Sequence, residues 1–144
     1  MSGVHSFIIG SLAQALNNWA TTNEVPLAWE NNEPFQPPAV DADQAWGRPK
    51  FFPAETVQAS VGDEGLNQIG GIMLVNLFYP KGKSAGVLNA LADSLISAFK
   101  RGTQTASVSG VSARISRAWR DAALPEEQWY NIPVRIQYFQ QVAN

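Results

Sequence analysis

The chain has 144 residues, the size of one domain; a domain of that length buries about 70% of its unfolded surface and needs no metal or disulfide to hold a core. It contains no cysteine, which excludes a disulfide framework, a zinc–thiolate site and a cysteine nucleophile. Apolar residues make up 45% and charged residues 15%, with a net charge of −2, the wrong sign for a general nucleic-acid binder.

Residues 1–6 lack the basic start and apolar core of a signal peptide, and no apolar run approaches the roughly 20 residues that span a bilayer. The chain is therefore expected to be soluble and made in the cytosol. Residues 4–20 read as an amphipathic helix, with Val4, Ile8, Leu12, Ala15, Leu16 and Trp19 at three- and four-residue spacing and Gln14, Asn17 and Asn18 opposite. Residues 25–29 form a short apolar piece. Residues 30–38, with Pro34, Pro37 and Pro38, are extended and cross the surface, pinned by Trp29 and Phe35. Residues 46–61 read as a strand that Pro49 and Pro53 confine to an edge or bend. A turn follows at 62–65. Residues 72–79 are apolar at nearly every position, the pattern of a central strand covered on both sides.

Ser84 can cap a second helix, whose stripe runs through Val87, Leu88, Leu91, Ala92, Leu95, Ile96 and Phe99 and which Gly102 ends. Residues 102–107 are a polar connector. From Val111 the chain alternates: Val111, Ala113, Ile115 and Trp119 point one way, Ser112, Arg114, Ser116 and Arg120 the other, and Arg117 interrupts the apolar side. Residues 124–127 read as a loop. The last strand, 129–140, sets Tyr130, Ile132, Val134, Ile136 and Tyr138 on one face and Arg135, Gln137 and Phe139 on the other. This order gives one α+β domain over residues 1–144: a mainly antiparallel or mixed β-sheet with two α-helices packed on one face. The second face is left to solvent or a partner.

Chemistry is sparse. Lys81-Gly82-Lys83-Ser84 sits between a strand and a helix as a P-loop does, but Leu77 stands where that motif needs its first glycine. A basic loop with a helix cap is the simpler reading. His5 is the one histidine, and the acid pairs Asp41/Asp43, Asp63/Glu64 and Glu126/Glu127 fall in loops as solvated charges. No catalytic, metal or cofactor residues are assigned. Charge is unevenly spread: residues 1–64 hold eight acids and two bases, a balance of −6, and residues 65–144 hold four acids and eight bases, a balance of +4. Arg114, Arg117, Arg120 and Arg135 can pair with acids of another subunit, face solvent or meet a phosphate backbone. The five tryptophans suit either a core or an interface.

An ordered series spans nearly the whole chain. After the first helix come Pro26-Leu27-Ala28-Trp29-Glu30-Asn31 and Phe35-Gln36-Pro37-Pro38, then Trp46 and Phe51-Phe52-Pro53-Ala54. A glycine-led apolar strand ends in Tyr79-Pro80-Lys81-Gly82. A Leu- and Ala-rich helix to Phe99 follows, and then Pro133-Val134-Arg135-Ile136-Gln137-Tyr138-Phe139. This series resembles the tail-terminator-like (tail-completion) proteins of long-tailed bacteriophages. Lys81-Gly82-Lys83-Ser84-Ala85-Gly86 departs modestly from the usual glycine-rich turn. The resemblance implies a virion structural protein without enzymatic activity. It would form a hexameric ring on the head-proximal end of the tail tube, stop tube growth and offer a surface to the head connector. DNA would pass through the lumen unread, and the protein would sit in the host cytoplasm until assembly. Expected partners are further copies of the chain, the tail tube protein and connector or neck proteins, with no membrane. The residues themselves suggest interface candidates: Trp46, Arg48, Phe51, Lys81, Lys83, Arg114, Arg117, Arg120 and Arg135. A head–tail connector or neck adaptor is the alternative. A nucleotide enzyme at Lys83-Ser84 and a DNA-binding module at Arg114, Arg117 and Arg120 fit the sequence less well.

Overall fold

The computed structural model describes residues 4–29, 37–38, 44–53, 57–58, 66–81, 85–105, 112–125 and 129–143. Helix α1 (Val4–Thr22) and helix α2 (Ala85–Ala98) flank an antiparallel sheet of β1 (Trp46–Pro53), β2 (Val57–Gln58), β3 (Leu66–Pro80), β4 (Arg114–Arg120), β5 (Leu124–Pro125) and β6 (Trp129–Ala143). The main path of the sheet is β1-β3-β6-β4, with β2 beside β3 and β5 beside β6. The expected α+β class, with two helices on one face, is borne out.

The spacing of apolar side chains explains the layers. Ile8, Leu12, Leu16 and Trp19 of α1 and Leu88, Ala92 and Leu95 of α2 are buried. They share one core with Met73, Val75, Leu77 and Tyr79 of β3 and Ile132, Val134, Ile136 and Tyr138 of β6. These strand residues are two apart, and the register pairs them across the strands (Met73 with Ile136, Val75 with Val134, Leu77 with Ile132), so one face of the sheet carries the core. Trp19 Nε1 donates to Ser94 Oγ at 3.1 Å and joins the helices. Ser11 of α1 and Thr105 hydrogen-bond inside the core, a polar link across 94 positions that local patterns do not announce.

β3 begins at Leu66, six residues before the apolar run, because Gly70 and Gly71 let two backbones close in. A Cβ on Gly71 would lie 2.4 Å from the Phe52 carbonyl oxygen and 2.8 Å from Tyr138 Oη. The expected strand over 46–61 divides into β1 and β2. β1 is an edge strand, as its prolines require. Its Gly47 bonds outward to residues 26–28 (Gly47 N–H to the Pro26 oxygen at 2.9 Å, Ala28 N–H to the Gly47 oxygen at 2.8 Å). Pro49 and Pro53, two and six positions on, face the same outer side and lack a donor there. On the opposite edge, residues 102–105 flank the start of β4 through Ile115 N–H to the Thr103 oxygen and Thr105 N–H to the Ala113 oxygen.

Leu124 and Pro125, read from sequence as loop, pair with β6 as β5. The turn at 62–65, Ser84 and the three acid pairs lie outside the described residues, as does most of the 30–38 stretch. α1 ends with Glu24 in the left-handed region (φ 57). Val25 N–H reaches the Ala20 oxygen and Glu24 N–H the Thr21 oxygen, a Schellman end with glutamate where glycine is preferred. Replacing Glu24 with Gly should relieve that backbone cost and stabilise the fold by about 0.5–1 kcal/mol. Gly71→Ala should cost about 1–3 kcal/mol or more, because the obstacle is backbone. Thermal and urea denaturation of the two variants measure both.

Candidate functional site

The second face of the sheet has no described helix on it. Register places Trp46, Arg48, Lys50 and Phe52 of β1 opposite Phe78, Asn76, Leu74 and Ile72 of β3. Those residues continue into Asn131, Pro133, Arg135 and Gln137 of β6. Trp119 and Arg117 of β4 complete the rows opposite Arg135 and Gln137, and Arg114 stands opposite Phe139. At one end the face builds a small aromatic cluster of its own. Trp46 stacks on Phe78 (centroids 4.2 Å, planes 13° apart) and meets Trp129 edge-on at 5.6 Å. Beyond it Ile72 and Leu74 are half-buried and Phe52 is 44% exposed. The expectation that the central strand is covered on both sides therefore holds fully at Phe78 and only in part at Ile72 and Leu74.

Cations lie among these apolar groups. The Arg48 guanidinium sits 5.3 Å from the Trp46 ring centroid and 5.4 Å from that of Phe78, Lys50 Nζ sits 5.3 Å from Phe52, and the Arg117 guanidinium lies 4.0 Å over Trp119. Such contacts hold the charge at the surface while the side chain covers carbon. Arg135 Nε donates to Asp121 Oδ2 at 2.8 Å, and Arg114 Nη2 to Gln104 Oε1 at 3.3 Å.

The structure sorts the sequence candidates. Arg48, Arg114, Arg117 and Arg135 share the open face. Arg120 does not. A bulge between Ile115 and Arg117 inserts Ser116 and shifts the register, so the alternation expected from Val111 onward reverses after it. Arg117 thereby joins Arg114, Trp119 leaves the expected apolar side for the open face, and Arg120 crosses to the helix side. There Arg120 Nη1 donates to Asn89 Oδ1 at 2.9 Å and stands 3.9 Å from Asp93 Oδ1 of α2. Phe51 pairs with Met73 and packs against the main core, so its neighbour Phe52 is the exposed ring. Trp46 is 2% exposed and holds the aromatic cluster, with almost no surface left for a neighbour. Lys81 is exposed just past β3; Lys83 and the side chain of His5 lie outside the described residues. Lys50, Phe52 and Trp119 are additions. A period of two from Arg48 signals the first two, and nothing local signals the bulge that moves Trp119.

Among the described residues no three of His, Cys, Asp and Glu converge as a metal site, and no helix is long and apolar enough to cross a membrane. A cleft of about 390 Å³ at the end of α1, lined by Asn17, Thr21, Glu24 and Trp29 among others, brings together a single titratable side chain. What the open face can do is bind an extended surface through cations and rings.

Comparison with known proteins gives the following. A family model described as phage tail terminator protein matches residues 8–138. A solved structure of a protein that bears no functional name aligns over 97% of this chain and 95% of its own, with a TM-score of 0.73 at 22% identity, which is a likeness of fold. No curated protein matches the sequence.

Lys50→Ala and Arg117→Ala should each change the unfolding free energy by no more than about 0.5 kcal/mol, because both side chains are exposed and neither pairs with an acid among the described residues. Arg120→Ala, which unties β4 from α2, should cost about 0.5–1 kcal/mol after allowance for solvent. Urea denaturation followed by tryptophan fluorescence separates them.

Proposed function

The chain belongs to the phage tail terminator family, structural proteins of phage tails, and from that premise we propose that it assembles as a six-fold ring that caps the head-proximal end of the tail tube. The ring ends tube polymerisation and provides the surface that the head connector meets. DNA passes through its lumen without being read. Its place of action is the virion, after assembly in the host cytoplasm.

The observation that carries this reading is the pairing of a family match over residues 8–138 with a sheet whose edges are blunted and whose second face is open. A closed ring needs a heterologous interface, in which two different patches of each subunit meet. Strand addition is a poor route to one. On one side residues 26–28 already occupy Gly47 and the prolines withhold donors; on the other, residues 102–105 occupy the first half of β4. A face carrying Arg48, Lys50 and Arg117 beside Leu74 and Trp119 is the better candidate for one patch, and the acid-rich first half of the chain supplies a complement.

Termination then follows from asymmetry alone. One side of the ring presents what a tube end accepts, and the other lacks what the next tube subunit requires. No bond is made or broken. Negative-stain imaging of the purified protein mixed with tail tubes should show rings and a cap at one tube end, with tube growth halted. Tubes that keep growing without end density would overturn the reading.

A further inference from the structure

The two helices of this chain end in opposite ways. α2 is followed by Phe99, Lys100, Arg101 and Gly102, with Gly102 in the left-handed region at φ 88. That is the preferred arrangement: glycine takes the backbone conformation without strain, and cations offset the negative end of the helix dipole. α1 has no base in its last turn, and its left-handed position is held by Glu24 at φ 57. Glutamate is unfavourable there twice, for the backbone it must adopt and for a carboxylate set at the negative end of a helix. All the lysines and arginines of the chain except Lys83 are described. The ion pairs among the described residues, Arg120 with Asp93 and Arg135 with Asp121, leave Glu24 out.

A residue that its own chain disfavours, standing beside a cleft, points to something that enters the cleft. The opening at this helix end holds about 390 Å³. Of its lining, Ala20 and Val25 are buried, Leu27 and Trp29 are half-buried, and Asn17, Thr21, Glu24 and Pro26 are exposed. One carboxylate and one indole ring at the negative end of a helix suit a guanidinium, which pairs with a carboxylate in its plane and stacks on a ring by its face. An anion would meet the wrong charge, and one carboxylate is too few for a metal ion.

The chain carries a matching group at the other end of its helix layer. Trp19 of α1 bonds Ser94 of α2, and Ser11, earlier on α1, bonds Thr105, beyond α2. The helices are therefore antiparallel, and their C-terminal ends lie at opposite ends of the layer. Lys100 and Arg101 are exposed. Their turn is tied down by Thr103 N–H to the Lys100 oxygen at 3.1 Å and Gly102 N–H to the Ile115 oxygen at 2.9 Å, and a Cβ on Gly102 would meet nothing within 4 Å. A cation on a fixed, projecting turn at one end and an acidic cleft at the other are the two different patches that a head-to-tail contact between copies needs.

We propose that the cleft at the end of α1 receives Arg101 of the next copy, its guanidinium paired with the Glu24 carboxylate and laid against Trp29. This rests on the ring reading above and adds a helix-side contact to the open face described there.

The test uses the full chain. Glu24→Gly is the most informative variant, because fold and contact respond in opposite directions: it should raise the unfolding midpoint and yet need a roughly tenfold higher concentration to assemble. Arg101→Glu should weaken assembly at least as much, and Glu24→Arg combined with Arg101→Glu should recover it. Assembly is read by light scattering against protein concentration, and at tube ends by imaging, in about 0.05 M salt; circular dichroism of each variant checks the fold. Glu24→Gly and Arg101→Glu variants that assemble like the wild type would overturn this contact and leave the ring reading standing, as would a natively folded swap that fails to recover assembly. A wild type that neither assembles nor caps tubes would overturn both. Rings that form normally from Glu24→Gly and no longer cap tubes would give the cleft to the tube protein in place of a second copy.

Discussion

The pairing of β3 with β6 governs everything else in this fold. Fifteen consecutive residue pairs run from Leu66 opposite Ala143 to Pro80 opposite Trp129 without a break in register. Side chains alternate across a strand with a period of two, so this ladder assigns every residue of both strands to one face or the other. Odd positions of β3 from Met73 to Tyr79 and even positions of β6 from Ile132 to Tyr138 enter the helix-covered core. Their neighbours make the open face. A slip of one residue would exchange Met73, Val75 and Leu77 for Ile72, Leu74 and Asn76 and present Arg135 and Gln137 to the helices. The cost of burying that guanidinium among leucines makes the observed register the only workable one.

That ladder also accounts for what was readable in the sequence and what was not. The helices were legible because their apolar stripes repeat every three to four residues and nothing interrupts them. The faces of β6 were legible because Ile132, Val134, Ile136 and Tyr138 alternate cleanly with Arg135 and Gln137. β4 defeated the same logic. Its single extra residue, Ser116, reverses the faces downstream, so Arg120 enters the helix side while Trp119 comes out. Only the pairing partner reveals a bulge, because the insertion exists relative to β6 and not within β4 itself. Phe51 and Phe52 pose a related difficulty. Two adjacent rings must take opposite faces, and choosing between them requires the β1–β3 register. The early start of β3 was hidden for another reason: Asn67, Gln68, Gly70 and Gly71 have poor strand propensity, and they pair because Gly71 fits under the Phe52 carbonyl where any side chain would collide.

The apolar content of β3 carried more functional information than any charged motif did. A strand with Ile72, Leu74 and Phe78 on its second side asks for cover there as well as beneath the helices. The chain supplies that cover at one end, through Trp46 and Trp129 over Phe78, and leaves Ile72 and Leu74 half-buried among cations. By contrast, the Lys81-Gly82-Lys83-Ser84 sequence drew attention as a possible phosphate loop, yet Leu77 is fully buried in the core and cannot belong to a glycine loop. The membership in the phage tail terminator family fits a protein whose informative features are surfaces and not reactive groups.

A docking face built on exposed cations has a definite energetic character. Single solvent-facing ion pairs contribute about 0–1 kcal/mol each, so two copies meeting through a few of them associate weakly. Closure changes this. In a ring each subunit is held by two neighbours, and the last contact forms within the assembly at an effective concentration far above that of free protein. Weak unit contacts combined with closure make assembly sharply dependent on a template that gathers subunits. For the tube-capping role proposed above, that is a physical advantage over a tight pairwise interface. Subunits that bound one another strongly in solution would form off-template aggregates whenever geometry failed to close. In the assembly proposed above the cation–ring contacts would serve the same end: they would hold Arg48, Lys50 and Arg117 near a fixed geometry before a partner arrives, which lowers the ordering cost of each contact without adding strength to the unassembled chain.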